Sequence, residues 1–248
     1  MKFSRQLLLL ALLFCLACGG SSPQSTATPP SNNAPSNPST PSGSDKPVTE
    51  TISLTASDWD IVYNGYGSIS FDETNGLTLE PKRSTSTGET HSALVLAKIT
   101  ERCPVKDFRL TITVTTEKQL RSPSPNPWEV FWVFFNYLPD GNFKKTNYFI
   151  LKTNGIELGR AFDDVGQTFL FTGDKPTLTL SKKMELVLEK KGEHLEVLID
   201  GISVLSYDGQ TFPQALYDQA GSIGLYTEDA RVTVQSVILT RLDSSCSS

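Results

Sequence analysis

The chain has 248 residues, 22 of them basic and 27 acidic, which gives a formal net charge of −5 at pH 7. This acidic balance argues against a nucleic-acid-binding protein, which would carry a basic patch. Four cysteines and two histidines leave little material for a structural zinc site, which takes four Cys or His ligands. The counts exclude these classes without naming a function.

The first 17 residues predict a secretory signal peptide. Lys2 and Arg5 supply a positive start, and a ten-residue apolar run, Leu7–Leu16, follows. That run is too short to cross a bilayer as a helix, which needs about 20 apolar residues.

The end of this segment, Leu16-Ala17-Cys18-Gly19, resembles the lipobox of bacterial lipoproteins. The resemblance implies cleavage before Cys18 and acylation of its thiol. It also implies a lipid-anchored protein of the bacterial cell envelope, in the outer membrane where the cell has one. The residues alone leave ordinary signal-peptide cleavage open.

Residues 18–47 predict a disordered linker between this anchor and a folded domain. The stretch 19–45 is rich in Ser, Pro, Thr and Asn, and its apolar residues are Ala27 and Ala34. Such a segment cannot bury enough surface to offset the entropy lost on ordering. As a random coil it would span roughly 30 Å.

Residues 48–243 predict a single domain of short β-strands, because apolar and polar residues alternate. Strands are predicted at Ser92–Ala97, Phe108–Thr116, Val130–Asn136, Tyr148–Thr153, Ile156–Phe162, Met184–Lys190, His194–Ile199, Ile202–Tyr207 and Val232–Leu239. Turn pairs such as Asn154-Gly155 and Asp200-Gly201 separate them. The one candidate helix is at 213–219. We therefore predict an all-β fold, a two-sheet antiparallel jelly-roll sandwich, followed by a C-terminal tail at 244–248.

Three stretches carry a resemblance to a known superfamily. They are Asn126–Glu129 with Trp132, Tyr148–Gly159, and Gly221–Val232. Together they resemble the concanavalin A-like lectin/glucanase superfamily, nearest to bacterial domains labelled family 16 glycoside hydrolase-like or 3-keto-disaccharide hydrolase-like. The resemblance implies the sandwich fold. It does not decide the function, because this fold carries lectins, hydrolases, lyases and binding modules.

Recognisable catalytic motifs are missing from the sequence. Family 16 glucanases carry E-x-D-x-x-E on one strand, whereas here Phe131 stands where the Asp would follow Glu129. The chain also has no G-x-S-x-G motif and no glycine-rich phosphate loop. The sequence therefore favours binding without catalysis and leaves a glycoside hydrolase or polysaccharide lyase as the alternative.

No cofactor is predicted, although acidic turns leave a Ca²⁺ site open. Acidic and amide residues cluster at 72–75, 140–142, 163–164 and 228–229. Oxygen ligands suit Ca²⁺, but none of these clusters has EF-hand spacing, and turns favour such residues for local reasons.

Alternation along neighbouring strands selects a candidate ligand-binding surface. It consists of Trp128, Trp132, Asn136, Tyr148, Lys152 and Glu157, with His91 at the start of an apolar strand as a further candidate. Aromatic faces can stack on the C–H faces of sugars, while amide and charged groups bond to ring hydroxyls. The residues alone leave open that Lys152 and Glu157 simply pair across a hairpin and that Trp132 belongs to the core.

These observations predict a surface-anchored lipoprotein whose sandwich binds a carbohydrate or polysaccharide in a groove of one sheet. The predicted partners are that carbohydrate and, through the anchor, a membrane, with no nucleic acid. A glycan-degrading enzyme and an envelope module that binds another protein are the alternatives.

A disulfide is predicted between Cys103 and Cys246, the cysteines left once Cys15 is cleaved off and Cys18 is acylated. The compartment of an exported domain is oxidising. In sandwiches of the resembled type, the closing strand commonly runs antiparallel beside the strand that follows Cys103. That arrangement would bring the two cysteines within bonding distance. A free Cys246 in a frayed terminus is the alternative.

Overall fold

The computed structural model describes residues 49–72, 74, 76–140, 143–162, 166–211 and 214–243. The predicted signal peptide, the acylation site at Cys18, the linker and the tail with Cys246 lie outside the described residues. Within those ranges no helix is long and apolar enough to cross a membrane.

The described part of the chain contains fifteen strands. In chain order they are β1 (Glu50–Leu54), β2 (Trp59–Tyr63), β3 (Ser68–Asp72), β4 (Gly76–Glu80), β5 (Ser92–Ala97), β6 (Phe108–Gln119), β7 (Phe131–Asp140), β8 (Phe143–Lys152), β9 (Gly155–Phe162), β10 (Gly166–Gly173), β11 (Met184–Lys191), β12 (His194–Ile199), β13 (Ile202–Asp208), β14 (Ser222–Glu228) and β15 (Ala230–Arg241). A short helix, α1, spans Lys98–Arg102, and a 3₁₀ turn spans Ala56–Asp58.

The candidate helix at 213–219 is wrong over its described residues, because residues 214–219 form irregular chain. Their backbone groups bond to the neighbouring sheet instead of to one another. The Tyr217 N–H donates to the side chain of Asn147, and the Gln219 carbonyl accepts from the side chain of Asn136.

The strands form two antiparallel sheets. One sheet has the order β13-β12-β11-β6-β15-β4-β3, with β1 also paired to β15, and counts eight strands. The other has seven strands in the order β10-β9-β8-β7-β14-β5-β2. The predicted two-sheet antiparallel jelly-roll sandwich is confirmed.

The hydrophobic core lies between the sheets and takes alternate residues from central strands such as β6. Phe108 on β6 and Phe135 on β7 meet across it with ring centroids 5.9 Å apart. Ile112 and Phe149 are also fully buried in the same cluster. Since successive side chains of a strand point to opposite faces, the other set on β7 and β8 points away from this core.

Two predicted hairpins are confirmed, one in each sheet. Lys152 pairs with Gly155, whose φ of +134° suits glycine, so β8 returns directly into β9. Asp200 and Gly201, with φ of +51° and +79°, join β12 to β13. The first hairpin brings two candidate ligand-binding strands side by side.

Candidate functional site

Four of the predicted site residues share one face of the seven-stranded sheet. They are Trp132, Tyr148, Lys152 and Glu157. Trp132 pairs with Ile150, which pairs in turn with Glu157. Directly paired residues project from the same face, and Tyr148 and Lys152 lie two positions on either side of Ile150. This face, called here the outward face, points away from the eight-stranded sheet, as the alternation predicts.

The middle of the outward face is a cluster of aromatic rings. The Trp132 ring lies 5.0 Å from the Tyr148 ring and 5.5 Å from the Tyr226 ring, centroid to centroid. Phe134 stacks on Tyr226 at 4.6 Å. Trp132 is 3% exposed and Tyr148 is fully buried. The expectation that these two rings offer an open stacking surface is therefore wrong, because the rings pack on one another.

Beside this cluster, Glu157 is held by two donors. The Tyr148 hydroxyl donates to Glu157 Oε1 at 2.9 Å, and Lys152 Nζ donates to Oε2 at 2.7 Å. Burial raises the pKa of the Tyr148 hydroxyl, and the charge of Glu157 adds to the effect, so the phenol keeps its proton. Lys152 and Glu157 do pair across the hairpin, and their side chains are 14% and 9% exposed.

Gly159 makes room for the Tyr148 ring. The two residues are direct partners on β9 and β8. A Cβ added to Gly159 would lie 2.3 Å from the Tyr148 hydroxyl oxygen and 2.4 Å from its Cζ. The Tyr148 ring therefore lies over Gly159, and this position brings the Tyr148 hydroxyl within hydrogen-bonding distance of Glu157.

Trp128 lies at the end of the sheet, in the loop between β6 and β7, and is half-buried. Its carbonyl accepts a hydrogen bond from Trp132 Nε1 at 2.8 Å. The neighbouring Pro127 carbonyl accepts from the Thr153 N–H in the β8–β9 turn. The loop is thus joined to the same corner of the sheet that carries Lys152.

Asn136 does not join the outward face, which corrects the expectation from simple alternation. The β7–β8 register shifts between Phe135 and Leu138, and Asn136 has a left-handed φ of +49°. Its side chain is buried and donates to the carbonyls of Val105, Lys106 and Gln219. The bulge turns this amide into a structural link between strand and loops.

His91 is also not placed on an open groove. It is 6% exposed, with Nδ1 2.7 Å from the Lys82 carbonyl and Nε2 3.2 Å from Glu89 Oε1. Its ring meets Tyr66 edge-on at 5.5 Å. The expectation that it faces a ligand is wrong, because both ring nitrogens already contact acceptors of the loop before β5.

Three residues of the outward face were not assigned from the sequence. Tyr226 lies opposite Trp132, and its hydroxyl donates to Glu228 Oε1 at 2.8 Å. Burial raises the pKa of Tyr226, and the Glu228 charge adds to this effect. Phe169 lies opposite Gly159 on β10 and is 58% exposed. Alternation along β14 could have identified Tyr226 and Glu228. Placing Phe169 on this face requires knowing which residue of β9 it pairs with.

The described residues hold no group of three or more His, Cys, Asp or Glu side chains that could bind a metal ion. The outward face and the loop at its end instead combine an ion pair with a partly exposed lysine, a half-buried indole, an exposed phenyl ring and a second carboxylate. These groups can contact a ligand through apolar surface and through hydrogen bonds.

No protein-family model matches the sequence, and no curated protein sequence matches it. Solved structures do match the fold. A carbohydrate binding module, CBM66, from Bacillus subtilis is 15% identical and superposes with a TM-score of 0.51, covering 73% of this chain and 93% of its own.

Two further structures match in the same way. A Bacillus licheniformis beta-glucanase is 9% identical, with a TM-score of 0.53 over 80% of this chain and 100% of its own. A Bacillus subtilis protein of unknown function with a galectin-like fold is 15% identical, with a TM-score of 0.52 over 75% and 90%. The chain has the fold of the concanavalin A-like lectins and glucanases.

Proposed function

We propose that this protein binds a carbohydrate on the outward face, at the corner formed by Lys152, Glu157 and Trp128, with Phe169 at the edge strand. The observation that carries the proposal is the Lys152–Glu157 pair beside aromatic side chains on the outward face, with Lys152 partly exposed and Glu157 buried. The ammonium and carboxylate would bond to sugar hydroxyls, and the indole and phenyl surfaces would contact sugar C–H groups.

The similar structures support a glycan ligand at the level of the fold. One is named as a carbohydrate binding module and another as a beta-glucanase. Binding without catalysis is favoured here, because the sequence lacks the E-x-D-x-x-E run of family 16 glucanases.

Hydrolysis of a glycan is the second candidate, favoured by one observation. Glu228 lies on the outward face with Glu157, and each carboxylate accepts a hydrogen bond from a tyrosine hydroxyl. Most glycoside hydrolases use a pair of carboxylates, one as acid and one as base or nucleophile.

Affinity electrophoresis of the purified protein tests both candidates. Gels would contain mixed-linkage β-glucan, xylan, levan or galactan, and we expect at least one polysaccharide to retard migration. The same polysaccharides, incubated with the protein, should release no reducing ends. Release of reducing ends that is lost in Glu157→Gln but kept in Glu189→Gln would favour hydrolysis instead. Glu189→Gln is the control, because the Glu189 carboxylate lies outside this face. Unchanged migration in every gel would contradict the binding proposal.

Attachment to a membrane through an acylated Cys18 belongs to the same proposal. The sequence Leu16-Ala17-Cys18-Gly19 supports it through its resemblance to a lipobox. A tethered domain would hold a polysaccharide at the cell surface.

A further inference from the structure

A buried ion cluster lies at the end of the sheet that carries Trp128. It consists of Arg121 in the β6–β7 loop, Glu129 in the same loop and Asp229 in the turn between β14 and β15, and is called here the Arg121 cluster. Arg121 is 8% exposed, and both carboxylates are fully buried. A buried guanidinium between two buried carboxylates is costly to assemble, so its arrangement requires an explanation.

The guanidinium joins three chain segments. Arg121 Nε donates to Glu129 Oε1, and Nη2 donates to Asp229 Oδ2 at 2.8 Å. Nη1 donates to the Ser86 carbonyl at 2.6 Å, in the loop between β4 and β5. Arginine suits this position because its planar fork holds several donors in fixed directions, which a lysine ammonium does not.

Glu129 connects Arg121 to the turn that contains Trp128. Its Oε2 accepts from the Asn126 backbone N–H at 2.9 Å, and its Oε1 accepts from the Asn126 side chain at 2.7 Å. The Glu129 N–H closes the turn by donating to the Asn126 carbonyl. Pro127 and Trp128 are the two residues between these ends, so Arg121 fixes the turn through Glu129.

Asp229 fixes the other side of the cluster. The Ser84 hydroxyl donates to its Oδ1, and its backbone N–H donates to the His91 carbonyl at 2.8 Å. Burial raises the pKa of the Asp229 carboxyl, against the hydrogen bond from Ser84 and the charge of Arg121. Asp229 therefore ties the loop before β5 to the turn after Glu228.

We propose that Arg121 is a positioning residue for the carbohydrate site. It ties the β6–β7 loop to two neighbouring segments. In this way it holds Trp128 at the edge of the outward face and preserves the Trp128–Trp132 hydrogen bond. The inference rests on the proposed function only in taking Trp128 as part of the site. The positioning itself can be measured without a glycan.

The test uses protein labelled with 5-fluorotryptophan, whose fluorine spectrum reports each indole separately. The chain has three tryptophans, Trp59, Trp128 and Trp132, and Trp→Phe variants assign their signals. Arg121→Lys keeps the positive charge but loses the planar guanidinium group and its fixed donors. We expect the Trp128 and Trp132 signals to shift or broaden, while the Trp59 signal, from edge strand β2, stays in place.

Glu129→Gln is the second variant, in case Arg121→Lys fails to fold, and should move the same two signals. Arg109→Lys is the control, because Arg109 pairs with Glu189 on the other sheet and should move none of the three. Arg121→Lys should also weaken binding at least tenfold for whichever panel polysaccharide retards the wild-type protein.

The outcomes separate the two proposals. Wild-type Trp128 and Trp132 signals in both folded variants would overturn the positioning role, whatever the glycan result. Shifted signals in a protein that binds no polysaccharide would support the positioning role and count against the carbohydrate function.

Discussion

At the scale of single residues, Asn136 determines how the centre of the seven-stranded sheet meets the loop before β14. Its side chain donates to three backbone carbonyls, and its oxygen accepts from Asn147 at 3.1 Å. Asparagine suits the position because its short polar side chain tolerates a positive φ better than most residues. The residue that alternation places in a ligand groove is a buried structural link.

Asn136→Ala should therefore lower the free energy of unfolding by about 1–3 kcal/mol, because it removes the bonds of a buried amide to three carbonyls and to the Asn147 side chain. Ser181→Ala is the matched control, since Ser181 also has a positive φ, +61°, but is exposed. Denaturant unfolding of both variants checks the prediction. Equal, small losses for the two variants would show that the Asn136 amide contributes little.

At the scale of elements, the pairing of β8 with β9 brings Lys152 and Glu157 together on the outward face. Gly159→Ala should displace the Tyr148 ring, since the new methyl group would overlap it. Overpacking of this kind costs about 1–3 kcal/mol, and the Tyr148–Glu157 hydrogen bond should be lost with it.

The control is Gly166→Ala on the neighbouring strand β10, where an added Cβ meets nothing within 4 Å. Thermal unfolding should distinguish the two variants clearly. A Gly159→Ala protein as stable as Gly166→Ala would mean that the ring moves aside without cost.

The pairing of β15 with β6 bears on the predicted disulfide. β15 runs antiparallel beside β6, and Arg241 lies opposite Phe108, as expected from the resemblance. Arg241 Nη1 donates to the Cys103 carbonyl at 2.9 Å, and Cys103 is buried at the end of α1. The chain that leads to Cys246 thus departs close to Cys103. Cys246 itself lies outside the described residues, so the bond stays a prediction.

Thiol titration of the unreduced protein after unfolding should find neither Cys103 nor Cys246 free. On the chain-entropy model, a bridge across a loop of about 143 residues stabilises by roughly 4–5 kcal/mol, so Cys103→Ser should lower the melting temperature markedly. Two reactive thiols, or an unchanged melting temperature in Cys103→Ser, would contradict the prediction.

At the scale of the whole molecule, the fold could be predicted because local patterns repeat along the chain. Alternation and turn pairs identified most strands and placed Trp132 and Tyr148 opposite the core face. Their burial could not be predicted, because it depends on contacts between residues far apart in sequence, such as the contact of Trp132 with Tyr226. The bulge at Asn136 interrupts alternation, and the Arg121–Asp229 pair joins residues 108 positions apart, so no local pattern indicates either feature.

The anchor is also a property of the whole molecule. Cys18→Ser should move the protein from the membrane fraction to the soluble fraction, because acyl chains supply the membrane affinity at about 0.8 kcal/mol per buried CH₂. Cys15→Ser is the control and should stay membrane-bound, since Cys15 lies within the predicted signal peptide. Mass spectrometry of the N-terminal peptide should show the acyl groups in the control alone. A Cys18→Ser protein that stays in the membrane with its acyl mass would refute the lipoprotein proposal.

The central claim, a carbohydrate site around Lys152 and Glu157, is tested most directly by calorimetric titration of Lys152→Ala. The titrant is whichever panel polysaccharide retards the wild-type protein, and the control is Lys191→Ala, whose ammonium pairs with Glu189 on the other sheet. We predict at least tenfold weaker binding for Lys152→Ala, a loss of about 1.4 kcal/mol, with wild-type affinity for Lys191→Ala. Equal affinities for the two folded variants would contradict a binding site at this corner of the outward face.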